Sequence, residues 1–277
     1  LLLAGFAVKT PVFPLHTWLP VVAMEGPAAV AALITGLKVG AYGLIRFALP
    51  LAPGAAQEFH WLLAGLGTVG LLYGALAAMG QTNLRRLLAY ASLSHVGLVL
   101  LGIASLSEPG VQGALFQLLN FTLVAGGLFL LTRFLNLRLG STDLISLGGV
   151  ARSMPLLAAF YFFLSLASLG VPGTSGFPAE FLILVSALQN HTGAGLAALL
   201  AMVLGAAYVL DGYRRTFFGP LGNRAIAAAA DLRPRELLVA LAFSLPILAA
   251  GLYPAGVLDT LDAASNQWVE RFATRAP

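Results

Sequence analysis

The chain has 277 residues, 59% of them hydrophobic and only 9% charged, with a formal net charge of +4. A soluble globular domain carries roughly 25% charged residues, so this composition excludes a soluble fold and predicts a protein surrounded by the lipid bilayer, with no nucleic-acid partner. The absence of cysteine excludes disulfides, thiolate-bound iron–sulfur clusters and cysteine-type zinc sites.

Eight apolar segments predict an all-α, polytopic bundle of transmembrane helices. A hydrocarbon core roughly 30 Å thick is crossed by about 20 apolar residues in a helix. On that basis the predicted spans are 1–11, 27–49, 61–80, 87–105, 112–134, 155–189, 194–213 and 236–253. Because the first span begins abruptly inside an apolar run, we expect residues 1–254 to form a transmembrane domain that lacks its N-terminal part.

Two of these spans are expected to be discontinuous helices. Segment 155–189 is too long for one ordinary span, and its centre, Gly170–Pro178, reads GVPGTSGFP. Proline removes a backbone donor and glycine is conformationally permissive, so an unwound middle is predicted there. The opening segment has the same character, because it contains Pro11, Pro14 and Pro20.

The distribution of arginine predicts the orientation in the membrane. If Arg85 and Arg86 are cytoplasmic, the loops on that side also hold Arg133, Arg138, Arg152, Arg214, Arg215, Arg224, Arg233 and Arg235. The opposite loops hold Glu58, Glu108 and His191, and only Arg46 lies near a helix end on that side. This asymmetry follows the positive-inside rule and places the C-terminus outside.

Residues 255–277 predict an amphipathic C-terminal helix that follows the transmembrane domain. One face of the helix carries Val257, Leu261, Ala264, Trp268 and Phe272, and the charged residues lie elsewhere around it. We expect such a helix to lie on the membrane interface or on a neighbouring helix.

Four titratable residues, Lys9, Lys38, His95 and Glu180, fall inside or beside apolar segments. A charge at the bilayer centre costs roughly 2.5–3.5 kcal/mol on insertion scales. Lysine gives up its proton more readily than arginine when it is desolvated, histidine titrates close to neutrality, and broken helices place ion sites near the midplane. A proton path is therefore predicted, although Lys38 could instead snorkel or form a structural pair, and His95 could simply bond a neighbouring helix.

Several blocks of this sequence resemble the antiporter-like subunits of respiratory complex I. The first is Lys9–Pro20 (KTPVFPLHTWLP), which is followed by Lys38 and by Tyr42–Phe47 (YGLIRF). The later blocks narrow the resemblance to the subunit M, or chain 4, branch. They are Asn83–Gly97 (NLRRLLAYASLSHVG), Ala167–Phe181 (ASLGVPGTSGFPAEF), Arg233–Leu237 (RPREL) and Gly251–Pro254 (GLYP). That branch has glutamate in its broken twelfth helix, where the L and N branches have lysine.

The resemblance implies a protein of fourteen helices with two inverted five-helix repeats, of which this chain holds the seventh helix onward. It implies that Lys9 responds to an acidic partner, that Lys38 and His95 pass a proton laterally, and that Glu180 exchanges it toward one face. The chain would be a multi-pass subunit in a bacterial inner membrane, with other membrane subunits and protons as its partners. The whole NADH:quinone oxidoreductase would be the enzyme; this chain would perform no redox catalysis and bind no cofactor or metal.

Two departures from the family pattern bear on conduction. Val21, Val22 and Ala23 replace an acid-Ala-His sequence, and Phe121 stands where the family has a second relay histidine. Because a phenyl ring cannot pass on a proton, we expect water or Asn120 to bridge between His95 and Glu180. The alternatives are a multisubunit cation/proton antiporter subunit, a hydrogenase-linked complex subunit, and a membrane scaffold that does not conduct.

Overall fold

The computed structural model describes residues 2–273, which are mostly helical. The helices before residue 140 are α1 Leu2–Lys9, α2 Trp18–Glu25, α3 Ala28–Leu37, α4 Val39–Gly43, α5 Leu49–Leu51, α6 Pro53–Glu58, α7 His60–Met79, α8 Leu84–Ala104 and α9 Glu108–Leu139. Those after it are α10 Pro155–Ser168, α11 Gly176–Asn190, α12 Thr192–Phe217, α13 Arg224–Ala228, α14 Pro234–Leu252 and α15 Ala255–Ala273. No β-strand occurs between residues 2 and 273, so the all-α prediction is confirmed.

The membrane-crossing segments agree with the predicted bundle. Within the described residues, six helical segments are long and apolar enough to cross a bilayer: Ala28–Leu51, α7, α8, α9, α12 and α14. The broken pairs α1–α2 and α10–α11 supply two further segments. Helix α8 lies at the centre of the bundle, since 94% of its most apolar window is buried. A titratable side chain in the middle of α8 is therefore surrounded by other helices and does not contact lipid.

Irregular backbone occurs at both predicted breaks. Residues 10–17 separate α1 from α2, and residues 169–175 separate α10 from α11. Both stretches are partly buried by the protein: Thr10, His16 and Ser175 are all buried, and the Ser175 N–H donates to the Ile247 carbonyl of α14 at 3.1 Å. Unwound backbone at membrane depth requires such shielding, because lipid offers its polar groups no partner.

A third break lies at Lys38, where the sequence predicted a continuous span over 27–49. Lys38 has φ 43° and ψ 39°, in the left-handed region that residues other than glycine rarely adopt, and it separates α3 from α4. Next to it, an alanine Cβ at Gly40 would lie 2.5 Å from the backbone nitrogen of Thr10. The break at residue 10 and the break at Lys38 therefore pack directly against each other.

The loops gather at two ends of the bundle. At the arginine-rich end, the Arg138 guanidinium pairs with Glu236 and donates to the Ala230 carbonyl at 2.7 Å, which fixes α9 to the start of α14. At the opposite end, His60 Nδ1 and His191 Nε2 lie 3.2 Å apart and join the start of α7 to the start of α12. These contacts place the loops on the two sides that the charge pattern predicted.

Helix α15 packs along the second end of the bundle. Trp268 and Phe272, on its predicted apolar face, are buried. The Trp268 indole Nε1–H donates to the Ile45 carbonyl at 2.8 Å, and the Gln57 amide donates to the Phe272 carbonyl at 2.5 Å. Of the two predicted locations, the structure therefore shows this part of α15 lying on neighbouring helices of its own chain.

Candidate functional site

Lys38 reaches the interior of the bundle from the break between α3 and α4. Lys38 is only 5% exposed, and its ammonium group donates to the Ser92 hydroxyl of α8. The same Nζ lies 5.0 Å from the centroid of the Phe121 ring, a separation typical of a cation–π contact. Among residues 2–273, no carboxylate forms an ion pair with Lys38. The Lys38 ammonium group is therefore in contact with a hydroxyl group and an aromatic ring. A charge that appears near it is not offset by a carboxylate partner.

His95 is buried one helical turn after Ser92 and Ala91 on α8. Its Nδ1 lies 2.8 Å from the Ala91 carbonyl, and its Nε2 lies 3.0 Å from the Ser168 carbonyl at the end of α10. A neutral imidazole has one N–H and can donate to one of these carbonyls, whereas the protonated ring can donate to both. The site can therefore hold His95 in either protonation state without moving the ring.

Glu180 lies in the second turn of α11, directly after the break. Glu180 is only 4% exposed. Its Oε1 lies 3.7 Å from His95 Nε2 and accepts a hydrogen bond from Gln117 Nε2 at 3.2 Å. Gly170 makes the room for this carboxyl group. An alanine Cβ at Gly170 would lie 2.5 Å from Glu180 Oε2, and the φ of Gly170 is +62°. The unwound residues 169–175 therefore leave space for the Glu180 carboxyl group, in addition to free backbone groups.

A polar chain extends from Glu180, and the sequence reasoning missed two of its three members, Gln117 and Ser175. Asn120 Nδ2 donates to Gln117 Oε1 at 3.2 Å, and the Ser175 hydroxyl donates to Asn120 Oδ1 at 2.7 Å. Gln117, Asn120 and Ser175 are all at least 99% buried. The available signal was the i,i+3 spacing of Gln117 and Asn120 on an otherwise apolar helix, which places the two amides on one face.

Phe121 packs against two of the predicted site residues, His95 and Lys38. Its ring centroid is 4.5 Å from the imidazole of His95, and its face receives the ammonium of Lys38. The ring therefore contacts both Lys38 and His95.

Asn120 does not bridge His95 and Glu180 as expected, because its amide bonds Gln117 and Ser175 instead. His95 Nε2 and Glu180 Oε1 lie 3.7 Å apart, beyond direct hydrogen-bond reach, so the expected water bridge stays a prediction.

Two small cavities adjoin His95. One of about 30 Å³ is bounded by Ser94, His95, Glu180 and Tyr208, among other residues, and another of about 20 Å³ reaches Phe121 and Tyr161. A cavity needs at least roughly 10–15 Å³ to hold one water molecule, together with polar partners. The first cavity meets both conditions, so a water can complete a hydrogen-bonded path between the imidazole and the carboxylate.

Lys9 is the predicted site residue that the structure does not bring into this cluster. It ends α1, and its side chain is exposed on the surface of the described residues. Its backbone carbonyl carbon nevertheless lies against Gly40, two residues after Lys38, where an alanine Cβ would approach it to 2.7 Å. Three of the four predicted residues thus share one buried region, and the fourth adjoins it through its main chain.

The described residues offer no obvious metal site. Between residues 2 and 273, no group of three or more histidine, aspartate or glutamate side chains is placed to hold a metal ion. The cluster brings together a lysine, a histidine and a glutamate, three types of side chain that can exchange protons.

The buried cluster and the broken helices can be compared with known proteins. Residues 1–205 match the family model described as "NADH:quinone oxidoreductase/Mrp antiporter, TM". The chain belongs to this family. Together with its apolar spans and its relatives, family membership makes it a multi-pass protein of the bacterial inner membrane.

Members of the family with curated names cover nearly all of this chain. It is 42% identical over 271 residues to the NAD(P)H-quinone oxidoreductase chain 4 1 of Synechococcus sp.. It is 41% identical over 270 residues to NADH-quinone oxidoreductase subunit M of Pseudomonas aeruginosa. These alignments cover 94% and 97% of this chain but only 52% of either relative. The chain thus spans about half the length of the curated relatives it matches.

Solved structures of family members have the same fold. A chain of respiratory complex I from Thermus thermophilus matches with a TM-score of 0.92 and 37% identity, covering 98% of this chain and 58% of that one. A chain of the Mrp complex from Dietzia sp. matches with a TM-score of 0.88 at 24% identity, covering 96% and 58%. The second likeness concerns the fold alone. The predicted resemblance to the antiporter-like subunits, in particular to subunit M, is confirmed.

Proposed function

We propose that this chain is part of a proton-translocating membrane subunit of an NADH–quinone oxidoreductase. The observation that carries the proposal is the buried approach of His95 Nε2 to Glu180 Oε1 at 3.7 Å, with Lys38 against a Phe121 ring that also packs on His95. The proposal is also supported by the relatives named as subunit M and chain 4. The partners are then other membrane subunits, and redox catalysis takes place outside this chain, which holds no redox cofactor of its own.

The proposed path follows the buried cluster. A proton on His95 passes to Glu180 after an approach of roughly half an ångström or through one water, because transfer needs heavy atoms within about 2.6–3.2 Å of each other. Charge on Lys38 repels a second charge on His95 and therefore promotes that transfer, and loss of the charge permits His95 to load again. Energy from redox chemistry enters as a change in the charge around Lys38.

Lys9 is the fourth member of the proposed path, on the basis of the sequence resemblance. Its exposed side chain, at the end of α1, is free to meet an acidic group outside the described residues. Because Gly40 joins the backbone at Lys9 to the turn after Lys38, a movement of the first break would displace the second. Lys9 can therefore influence Lys38 through movement of the backbone as well as through its charge.

The proposal is tested by removing the acidity of Glu180 while preserving its shape. Glu180→Gln retains an acceptor oxygen for Gln117 but cannot take a proton. Loss of an acid–base group slows proton transfer by roughly 100-fold or more, so we expect proton pumping through this subunit to fall to background. Glu58→Gln, an exposed carboxylate at the end of α6, is the matched control and should pump normally. The measurement is proton uptake per NADH oxidised in vesicles with matched contents of the complex.

Normal pumping by Glu180→Gln would contradict the proposal and leave a non-conducting scaffold as the better description. The cation/proton antiporter alternative is favoured by the family description, which names Mrp antiporters beside the oxidoreductases. Transport that requires sodium, at constant membrane potential, would identify that alternative. Proton uptake that is independent of sodium and coupled to NADH oxidation is the result we expect.

A further inference from the structure

A cavity of about 240 Å³ opens at the outer end of the bundle, beneath α15 and away from the proton-transfer cluster. One wall is the end of the span Ala28–Leu51, where residues Leu44–Ala48 wind into a wider, π-helical turn. The wider turn leaves the Ile45 carbonyl available to accept the Trp268 indole N–H. Trp268 thereby fixes α15 over the cavity, and π-helical turns of this kind often mark functional sites.

Two arginines, Arg46 and Arg271, line this cavity. Both are exposed, and neither guanidinium forms an ion pair within residues 2–273. The outer loops 52–59, 105–107 and 191 contain no other arginine and no lysine. Two cations therefore meet at one opening on a side of the protein whose connecting loops contain none, an arrangement that a bound anion would stabilise.

The remainder of the lining is mainly apolar. Ile45, Val111, Leu115 and Leu261 are aliphatic, and Tyr42 and Trp268 add aromatic surface. A free inorganic anion would satisfy the guanidinium groups but would leave this hydrocarbon wall uncovered. An amphiphile with an anionic head and an alkyl tail satisfies both parts, since apolar surface is stabilised by removal from water and arginine forms paired hydrogen bonds with phosphate.

We propose that this cavity binds an anionic phospholipid of the outer leaflet. The phosphate lies between Arg46 and Arg271, and an acyl chain runs along Leu115 and Leu261 toward the membrane interior. Trp268 sits beside the headgroup level, where amphipathic aromatic rings are favoured. The lipid joins α15 to the span that carries Lys38.

The test compares lipid retention by the assembled complex and by a variant with both Arg46→Gln and Arg271→Gln. The complexes are reconstituted in nanodiscs of phosphatidylcholine with a small fraction of phosphatidylglycerol, washed into detergent, and examined by native mass spectrometry. Each arginine near a membrane surface strengthens binding of an anionic lipid about fivefold. We therefore expect the double variant to retain one phosphatidylglycerol fewer, with affinity weakened by roughly 25-fold. Arg224→Gln, an exposed arginine at the inner end, is the control and should retain the lipid.

Three results would overturn the proposal. One is equal retention of phosphatidylglycerol by the wild-type and double-variant complexes. Another is displacement of the lipid by inorganic phosphate at equal concentration, which would show that the site selects the anion alone. The third is a photo-crosslink from a probe at position 46 to a neighbouring subunit instead of to lipid, which would identify the cavity as a protein interface.

Discussion

At Gly170, a single missing methyl group determines where the Glu180 carboxyl group can lie. We expect Gly170→Ala to push the carboxylate away from His95, because the new Cβ would lie 2.5 Å from Oε2. Gly173→Ala is a close control, since Gly173 also has a positive φ, of +93°, but no neighbouring atom within 4 Å of the added Cβ. Both variants force a residue other than glycine into a positive φ, but only Gly170→Ala also places a Cβ against the Glu180 carboxyl group.

The measurement for this pair is proton pumping at matched complex content, together with the carboxyl band of Glu180 in infrared difference spectra. Gly170→Ala should lose most of its pumping and shift the band, and Gly173→Ala should do neither. Equal pumping by the two variants would show that the contact of Gly170 with the carboxyl group has no functional role.

Phe121 provides a second prediction, because its ring contacts both Lys38 and His95. Phe121→His places a group that can donate and accept protons beside both residues, so pumping should rise or stay unchanged. Lys38→Ala and Glu180→Ala should both depress pumping severely, since each removes a titratable group from the buried path. Phe121→Leu keeps the position apolar and is the control for packing. The assay is again proton uptake by vesicles, and normal pumping in both alanine variants would leave the scaffold hypothesis standing.

At the scale of the elements, close packing of α7 on α8 holds the central helix in place. An alanine Cβ at Gly97 of α8 would lie 2.4 Å from the Gly67 carbonyl and from the Leu71 backbone nitrogen of α7. Small residues permit such close approach of membrane helices. Gly97 is two residues from His95, so the same contact sets the depth and rotation of the imidazole.

We therefore expect Gly97→Leu to prevent stable incorporation of the subunit, because a bulky side chain must separate the two helices. Gly65→Leu on α7 is the matched control, since nothing lies within 4 Å of a Cβ added there. Complex content after solubilisation in mild detergent, measured by native electrophoresis, should fall severalfold for Gly97→Leu alone. A normal yield of the Gly97→Leu complex would mean that the helices can separate without loss.

Sequence chemistry predicts two of the three helix breaks but not the third. Proline and glycine clusters mark residues 10–17 and 169–175, where local backbone preference already opposes a helix. Leu37, Lys38 and Val39 contain no such signal, and the left-handed turn at Lys38 arises where the broken end of α1 packs on Gly40. A break that depends on a distant segment cannot be predicted from its own residues.

Across the whole molecule, features of the site that depend on local sequence could be predicted, and features that depend on packing between distant segments could not. Membrane depth follows from hydropathy, so the titratable residues in apolar runs predict that Lys38, His95 and Glu180 lie inside the bundle, and all three are buried. Which of them meet depends on helix rotation and packing, so the sequence did not predict the contact of Phe121 with Lys38. The amide Gln117 was missed for the same reason, because its role depends on the position of α11 beside α9.

The distribution of arginine and the positions of the loops together predict which end of the bundle faces the cytoplasm. Ten arginines lie in or beside loops at one end, which the positive-inside rule assigns to the cytoplasm. These 277 residues contain no cysteine, so an added cysteine is the single thiol among them. Ile145, 90% exposed at the arginine-rich end, and Gly54, exposed in α6 at the other end, are suitable positions. A membrane-impermeant maleimide should label Gly54→Cys in intact spheroplasts and Ile145→Cys only in inverted vesicles. The opposite pattern would reverse the assignment of the two ends and would move the proposed lipid site to the inner leaflet.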